Sequence, residues 1–322
     1  MSALTRRTLL ASGAATLLAS CAAGGTSRAR ARIPDGSGQF TMPGGVGHEH
    51  HVVTVHTYLP QNFTSRSSIL IVIPGAGRNG DDYRDAWMPF ADAKGLLIAS
   101  PSYPEQQYDQ AAYQMGGAIR NLSVGTPLPR SSASAVYLRD EDLRFDVNPD
   151  RAQWLFHDFE RLFDILRHGT GSTQRGYDLF GHSAGGQILH RQVLLFPRSR
   201  AQRVVAANAG FYTLPDLETP QPTGLAELGL DENSLRQSFA RDLTVLLGEE
   251  DNDPERGGQH LHTPTIDAQG TDRLARGRFF HAFATRRARA LGVPLNWQLR
   301  TAPGIGHDFR AMSRVAAELL YS

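Results

Sequence analysis

The spacing of apolar residues along the chain predicts strands that alternate with helices. Residues 50–59 alternate apolar with polar side chains and are rich in β-branched residues, a pattern typical of a strand with one buried face. Ile69–Ile73 is a continuous apolar run, which indicates a strand buried on both faces of a parallel sheet. In residues 81–94 the apolar side chains recur at helical spacing. The same patterns predict further strands over 96–100, 177–180, 203–207, 243–247 and 295–300, and further helices over 153–168, 187–195, 231–240, 272–291 and 309–320.

This order of elements predicts an α/β fold with a doubly wound, mostly parallel sheet and helices on both of its faces. In such folds the ligand site lies at the carboxyl ends of the strands. Residues 39–322 are expected to form this one domain, since the chain is 40% hydrophobic and long enough for a single large core. Residues 101–150 interrupt the alternation with a long, irregular, tyrosine-rich stretch. We interpret this stretch as an insertion that serves the site or covers it.

The first residues have the features of a bacterial export signal. Arg6 and Arg7 precede a charge-poor apolar run over residues 9–19, which is too short to span a bilayer permanently. The arginine pair resembles a twin-arginine (Tat) signal, and general secretory (Sec) export is the alternative. We therefore expect residues 1–21 to direct export from the cytoplasm.

The export signal ends in Leu-Ala-Ser-Cys, which resembles a lipoprotein box. The resemblance implies that Cys21 is acylated and anchors the protein to a membrane, in the periplasm or at the cell surface. Residues 22–38 are rich in small residues and arginine, so they are expected to form a flexible tether. The alternatives are cleavage near Ala22 or Ala23, which gives a secreted protein, and an uncleaved anchor.

Charge and cysteine content argue against a nucleic-acid-binding protein and against a fold held by disulfide bonds. The chain has 33 Lys and Arg residues against 32 Asp and Glu residues, and its globular part contains no basic patch, so a nucleic acid is not an expected partner. The one cysteine, Cys21, lies in the leader, so we expect no internal disulfide bond in the exported domain.

Residues 181–185 (Gly-His-Ser-Ala-Gly) carry the strongest chemical signal. They stand between a predicted strand and a predicted helix, the setting of a nucleophile elbow, in which a sharp turn lifts a serine hydroxyl above the edge of the sheet. The turn crowds the positions two residues before and after the serine, and glycine fits there because it has no Cβ. Ser183 is therefore the predicted nucleophile. A glycine-rich turn with a solvent-facing serine is the alternative.

A serine hydroxyl attacks efficiently only when a base takes its proton, and that base is usually a histidine oriented by a carboxylate. His307 follows the last predicted strand and opens the last predicted helix, so it is the candidate base. Asp251, in the acidic loop after the strand over 243–247, is the candidate acid, and Asp253 is the alternative. The order along the chain is then nucleophile, acid and base.

An oxyanion hole needs two backbone N–H groups that point at the same position. Ala184 directly follows Ser183 at a helix start, where N–H groups are unpaired, and is expected to supply one of them. The second is expected from Ala76, in the glycine-rich loop after Ile69–Ile73, and Gly77 is the alternative. Pro74 in that loop has no N–H group to donate.

These segments resemble the α/β-hydrolase superfamily, and within it the secreted esterases similar to poly(3-hydroxybutyrate) depolymerases and feruloyl esterases. The likeness covers residues 69–312 and is carried by Pro-Gly-Ala-Gly-Arg-Asn (74–79), Gly-His-Ser-Ala-Gly-Gly (181–186), Ala-Asn-Ala-Gly-Phe-Tyr (207–212), Gly-Glu-Glu-Asp (248–251) and Pro-Gly-Ile-Gly-His (303–307). Members usually carry His-Gly where this chain has Pro74 and Gly75.

The resemblance implies hydrolysis of a small-molecule or polymeric ester through an acyl-enzyme, without a metal or an organic cofactor. Two alternatives remain open. One is an amidase, thioesterase or acyltransferase that uses the same three residues. The other is a non-catalytic surface-binding lipoprotein with a decayed hydrolase fold.

Two further groups of residues bear on ligand binding. Tyr103 in the insertion, and Phe211 and Tyr212 after a strand end, are expected to line the substrate pocket; packing in the core is the alternative for the last two. His48 and His50 would share one face of a strand and offer two metal ligands. The sequence supplies no third ligand, so we expect a solvated edge strand and no metal site.

Overall fold

The structure is a computed structural model and describes residues 33–322. Its strands are β1 (Gly36–Pro43), β2 (Val52–Leu59), β3 (Ile69–Ile73), β4 (Leu97–Ser102), β5 (Ile119–Val124), β6 (Ala135–Tyr137), β7 (Leu143–Val147), β8 (Tyr177–His182), β9 (Ala201–Ala207), β10 (Asp242–Gly248), β11 (His260–His262) and β12 (Trp297–Ala302). Its helices are α1 (Gly80–Lys94), α2 (Gln110–Tyr113), α3 (Phe156–Thr170), α4 (Ala184–Leu195), α5 (Glu232–Phe239), α6 (Pro264–Asp267), α7 (Arg273–Ala290) and α8 (Phe309–Tyr321).

Eight strands form the central sheet in the order β1-β2-β4-β3-β8-β9-β10-β12. β1, β2 and β4 pair antiparallel, and the strands from β4 to β12 in that order run parallel. The chain leaves β3 for β4 on one side and later continues with β8 on the other, so the strand order reverses beside β3. That reversal is where a doubly wound sheet binds its ligand. The predicted α/β-hydrolase fold, with a mostly parallel sheet, is confirmed.

Helices cover both faces of the sheet. α1 and α8 pack on one face, where Trp87 and Met312 are fully buried. α3, α4, α5 and α7 cover the other, where Phe159 and Phe280 are fully buried. Alternate side chains of Ile69–Ile73 enter the two layers, which explains why this strand is apolar at every position.

The insertion over residues 101–150 contains more regular structure than its sequence pattern predicts. It holds α2, β5, β6 and β7; β5 pairs with β7, while β6 pairs with β11 in the loop that follows β10. These strands are too short for an alternating pattern to be recognised in the sequence. The insertion is thereby attached to the loop that also carries Asp251.

β1 corrects the expected boundary of the folded domain. It begins at Gly36, within the predicted tether of residues 22–38, and Ile33 is buried. Gly36 and Gly38 conceal the strand from pattern analysis because they carry no side chains, whereas the backbone of β1 pairs with β2 along its whole length. Residues 33–38 therefore belong to the domain.

The predicted export signal and the lipidation of Cys21 concern residues that lie outside the described part of the chain. Within residues 33–322, no helix has both the length and the apolar character needed to cross a membrane.

Candidate active site

Ser183 stands on a sharp turn between β8 and α4. Its φ of 59° and ψ of −117° are values that residues with a side chain rarely adopt. Its N–H group donates to the carbonyl of Ala207 in the neighbouring strand at 2.9 Å. A Cβ on Gly181 would lie 2.4 Å from Gly185 O, and a Cβ on Gly185 would lie 2.1 Å from Ile73 O. The absence of side chains at these two glycines therefore permits the turn.

We expect Gly185→Ala to destabilise the protein by about 3 kcal/mol or more, because the added methyl group has no room against the backbone at the end of β3. Equilibrium unfolding in urea measures the loss. Gly171→Ala is the matched control: its φ is 68° but no atom lies within 4 Å of the added Cβ, so we expect a cost of only about 1–2 kcal/mol. Equal losses at the two positions would contradict the close approach at Gly185.

His307 and Asp251 lie at the ends of neighbouring strands and are hydrogen-bonded to each other. Asp251 follows β10 and His307 follows β12, and these strands pair in parallel, so both side chains reach the carboxyl edge of the sheet. His307 Nδ1 donates to Asp251 Oδ2 at 2.7 Å. Since Nδ1 carries this proton, Nε2 is the ring nitrogen that can accept one from a neighbouring group.

Asp253, the alternative acid, makes different contacts. Its carboxylate accepts a hydrogen bond from Glu255 N–H at 2.9 Å and pairs with Arg256 Nε at 3.2 Å. It makes no hydrogen bond to His307. The structure therefore brings Asp251, and not Asp253, against the imidazole.

The environment of the pair sets its protonation. Burial lowers the pKa of His307 well below its usual range, and the nearby Arg273 guanidinium lowers it further. Burial raises the pKa of Asp251, while Arg273, whose Nη1 donates to Asp251 Oδ1 at 3.1 Å, acts in the opposite direction. At neutral pH the pair is a carboxylate and a neutral imidazole, the state in which Nε2 accepts a proton. Arg273 was missed by the sequence analysis because one arginine at the start of an arginine-rich helix carries no distinguishing pattern.

His182, which precedes Ser183, packs against His307. It is 3% exposed, and its ring centroid lies 4.4 Å from that of His307. Tyr83 Oη lies 3.2 Å from His182 Nδ1, and the Tyr83 ring stacks on Phe309 with centroids 4.2 Å apart. Burial lowers the pKa of His182 well below its usual range, so its ring is neutral at neutral pH. Through these contacts, the residue before Ser183 and the second residue after His307 both pack against Tyr83.

The two expected oxyanion donors, Ala76 and Ala184, line the same cavity as Ser183 and His307. Ala184 is the first residue of α4, so its N–H group has no acceptor within the helix. The loop after β3 therefore faces the start of α4 across Ser183.

The insertion holds the loop after β3 in place. Tyr113 Oη donates to Pro74 O at 2.7 Å. Arg78 Nη1 donates to the carbonyls of Tyr103 and Tyr108 at 3.1 and 3.0 Å, and the Arg78 guanidinium lies 3.8 Å from the centre of the Tyr113 ring. These contacts stabilise the loop in a chain that has proline where members of the resembled family usually have histidine. The sequence analysis missed them because they join segments about 25 to 40 residues apart.

The cavity has a volume of about 840 Å³ and is lined mainly by apolar side chains, many of them from the insertion. The apolar lining residues are Met115, Ile119, Leu122, Val124, Pro127, Val136, Leu143, Phe145, Phe211 and Leu261. Asn79, Gln110, Gln114, Gln187 and Gln259 add amide groups. Among the described residues that line the cavity, Arg273 is the one side chain with a permanent charge, and Asp251 pairs with it. The cavity therefore suits an uncharged, largely apolar group.

Two of the three predicted pocket residues lie in the core. Phe211 lines the cavity. Tyr103 is 1% exposed and packs edge-on against Tyr108, and Tyr212 is fully buried and stacks on Phe280 with centroids 4.6 Å apart. The expectation for Tyr103 and Tyr212 is corrected: Tyr103 packs within the insertion and Tyr212 packs against α7, and neither ring lines the cavity.

The histidines near residue 50 lie in the turn between β1 and β2, so the expectation that His48 and His50 share a strand face is also corrected. His50 is exposed. His48 and His51 instead pack together with ring centroids 5.1 Å apart. Within residues 33–322, no group of three or more His, Cys, Asp or Glu side chains is arranged to hold a metal ion.

Comparison with solved structures decides the family. The chain is 36% identical to poly(aspartic acid) hydrolase-1 from Sphingomonas sp. KT-1, with a TM-score of 0.78 over 90% of this chain and 100% of that one. It is 31% identical to LpqC, a poly(3-hydroxybutyrate) depolymerase from Bordetella parapertussis, with a TM-score of 0.74 over 89% of each chain. This chain belongs to the poly(3-hydroxybutyrate) depolymerase-like α/β-hydrolases. The resemblance drawn from its motifs is confirmed.

As an α/β-hydrolase of this group, the protein is a hydrolase. The S-formylglutathione hydrolase FrmB from Staphylococcus aureus shares the fold at 12% identity, with a TM-score of 0.52 over 88% of this α/β-hydrolase and 96% of FrmB. No protein-family model matches the chain, and no curated protein matches it either.

Proposed function

We propose that this α/β-hydrolase cleaves carboxylic esters through an acyl-enzyme, with Ser183 as nucleophile, His307 as general base and Asp251 as the acid that orients His307. The observation that carries the proposal is the 2.7 Å hydrogen bond between His307 Nδ1 and Asp251 Oδ2, at a cavity onto which Ser183 also opens. Nucleophile, base and orienting carboxylate are the three components that this chemistry requires.

In the proposed reaction, His307 Nε2 takes the hydroxyl proton of Ser183 as Oγ bonds to the ester carbonyl carbon. The carbonyl oxygen becomes an oxyanion, to which the N–H groups of Ala76 and Ala184 donate. The carbon–oxygen bond to the alcohol then breaks, the alcohol leaves with the proton from His307, and the acyl group stays on Ser183. Water repeats the sequence on the acyl carbon, releasing the acid and restoring the serine hydroxyl. The Asp251 carboxylate stabilises the imidazolium in both halves.

Ser183 Oγ makes no hydrogen bond to another residue within 33–322. This is compatible with the proposal, because the bond between a catalytic serine and its base is often long before substrate binds and tightens in the complex. The lowered pKa of His307 keeps its ring neutral, and therefore able to act as a base, into mildly acidic solution.

The composition of the cavity supports a neutral acyl group as the substrate's buried part. Its walls are largely apolar, and the Arg273 guanidinium is paired with Asp251, so no free cation of the described lining meets a carboxylate. Burying an unpaired anion there would be costly. We therefore propose neutral esters, soluble or polymeric, as the substrate class.

Amide hydrolysis on the same three residues is the second candidate. The observation in its favour is the 36% identity to a poly(aspartic acid) hydrolase, since that polymer is joined by amide bonds. Poly(aspartic acid) is also a polyanion, which the pairing of Arg273 disfavours in this cavity.

We expect kcat/KM for p-nitrophenyl esters to rise about fourfold per added methylene from acetate to hexanoate, because each methylene buries apolar surface against the insertion. Poly(aspartic acid) is expected to release no detectable fragments. The series is run beside hydroxybutyrate and feruloyl esters, with Ser183→Ala as the blank for each substrate. A rate that does not depend on the length of the acyl chain would contradict the proposed substrate class. Cleavage of poly(aspartic acid) by wild type but not by Ser183→Ala would contradict it as well.

A further inference from the structure

Arg273 contacts Asp251 of the Asp251–His307 pair and lines the same cavity as Ser183. It is the first residue of α7 and is 2% exposed. Its Nη1 donates to Asp251 Oδ1 at 3.1 Å, while Oδ2 of the same carboxylate accepts from His307 at 2.7 Å. The two oxygens of Asp251 are therefore shared between one cation and the imidazole.

The same guanidinium also contacts the loop that covers the pair. Its Nη1 and Nη2 atoms lie 3.4 Å from the carbonyls of Arg256 and Gln259. Between these two residues, a Cβ on Gly257 would lie 2.5 Å from His307 Cβ and 3.1 Å from Arg273 Nη1, so this loop packs closely on both side chains. The carboxylate, the imidazole, the guanidinium and the loop form one packed unit.

The backbone strengthens this connection. Leu274 N–H, one residue into α7, donates to the carbonyl of Asp251 at 3.2 Å. α7 therefore begins against the acid loop through both a main-chain and a side-chain contact. A helix start is a rigid base from which to hold a carboxylate, because Asp272 caps it by accepting from Ala275 N–H at 2.8 Å.

We propose that Arg273 is a positioning residue of this site: it holds Asp251 by Oδ1 so that Oδ2 faces His307, and it supplies the one fixed positive charge beside the pair. The inference rests on the proposed function, in which Asp251 must orient His307. A carboxylate that is 3% exposed and bound only by a neutral imidazole would be poorly compensated for its lost hydration, so it needs a second partner.

Arg273 also sets the charge that His307 experiences. The titratable or charged side chains around His307 are Asp251 after β10, His182 at the end of β8, His260 in β11, Arg273 in α7, and Asp308, which caps α8. Burial lowers the pKa of His182 well below its usual range and that of His260 to about 4, so both rings are neutral near pH 7. Asp251 and Arg273 are the buried charges that remain. Removing the cation therefore favours the imidazolium and raises the pKa of His307.

The test compares Arg273→Gln with Arg273→Lys through pH profiles of kcat/KM on a neutral p-nitrophenyl ester. We expect Arg273→Gln to lower kcat about 10- to 100-fold with KM changed less than about threefold. The acid limb of its kcat/KM profile should shift to higher pH by about half a unit or more, because the positive charge that lowers the pKa of His307 is gone. Arg273→Lys should return the acid limb to the wild-type position and recover part of kcat.

Arg276→Gln is the matched control. Arg276 is a fully buried arginine one turn along α7 that pairs with Asp267 and contacts neither Asp251 nor His307. Arg276→Gln should lower the unfolding temperature, as we also expect of Arg273→Gln, but it should leave the acid limb of the pH profile at the wild-type position. In an Asp251→Asn background, Arg273→Gln should cost less than about threefold in kcat, since the group it positions has been removed.

An unmoved acid limb in Arg273→Gln, or an equal movement in Arg276→Gln, would overturn the inference. A full additional loss in the Asp251→Asn background would overturn it as well. If Arg273→Gln does not fold, the pH profile of Arg273→Lys still tests the inference. Lysine keeps the positive charge, so an acid limb that differs from that of wild type would contradict a role for the charge. Activity that survives Ser183→Ala would instead contradict the proposed function itself, so the two failures are distinguishable.

Discussion

Replacing Ser183 by alanine is expected to lower kcat/KM for a neutral p-nitrophenyl ester by at least about 10⁴-fold while the protein stays folded. The hydroxyl is the atom that forms the acyl-enzyme, and no other described serine has the combination of a φ of 59° and a helix start at the cavity. The side chain carries no hydrogen bond within residues 33–322, so its removal should leave the unfolding temperature nearly unchanged. Steady-state kinetics and thermal unfolding on the same preparation measure both quantities.

Ser313→Ala is the matched control for that experiment. Ser313 is fully buried in α8, and its Oγ has no hydrogen-bond partner among the described residues, so its loss should leave activity at the wild-type level. An Ser183→Ala protein that keeps more than a few per cent of activity would mean that another group is the nucleophile.

Asp251→Asn is expected to lower kcat by about 10³- to 10⁴-fold at neutral pH. An asparagine amide at this position either donates to His307 Nδ1, which stabilises the wrong tautomer, or leaves the imidazolium without an anion. It also leaves Arg273 without its buried partner, so a loss of stability should accompany the loss of rate. The pH profile of kcat, together with urea unfolding, separates the two effects.

Asp253→Asn makes the comparison specific, because it applies the same chemical change two residues away in the same loop. Asp253 contacts Glu255 N–H and Arg256 and not the imidazole, so its variant should retain activity within about twofold of wild type. Loss of turnover in Asp253→Asn with activity kept in Asp251→Asn would reverse the assignment of the acid.

Local sequence signals predicted the parts of this fold that depend on local physics. The apolar run Ile69–Ile73 appears as a strand with those bounds because both of its faces are buried. The helix predicted over residues 81–94 appears as Gly80–Lys94, and Gly95 ends it with a φ of 69°. The elbow at Ser183 could be recognised because the two positions that must lack a Cβ lie within a motif of five residues.

Contacts between distant segments limited what the sequence could provide. Asp251 and Asp253 are the same residue type in one loop, and only the parallel pairing of β10 with β12 places one of them against His307. Arg273 reaches Asp251 across 22 residues, and nothing in its own neighbourhood distinguishes it from the other arginines of α7. Tyr212 stands next to Phe211 in the loop after β9, yet Phe211 lines the cavity whereas Tyr212 stacks on Phe280 of α7, a contact made across 68 residues.

The insertion illustrates the same limit. Its strands are short and irregular, so the sequence predicted only that the stretch would serve or cover the site. In the structure the insertion lines the cavity with apolar side chains, and through Tyr113 it holds the Pro74 carbonyl at 2.7 Å. A chain without the usual histidine in this loop therefore has other contacts that fix the loop's position.

The proposed function requires that Ser183 be a nucleophile activated by His307 and Asp251. Labelling of the folded protein with a fluorophosphonate, followed by peptide mass spectrometry, tests it most directly because the probe reacts with activated serines whatever the natural substrate is. We expect a single phosphonyl adduct on the peptide that contains Ser183, strongly slowed labelling in Asp251→Asn, and none in Ser183→Ala. Folded wild-type protein that remains unlabelled, or an adduct on a different residue, would contradict it.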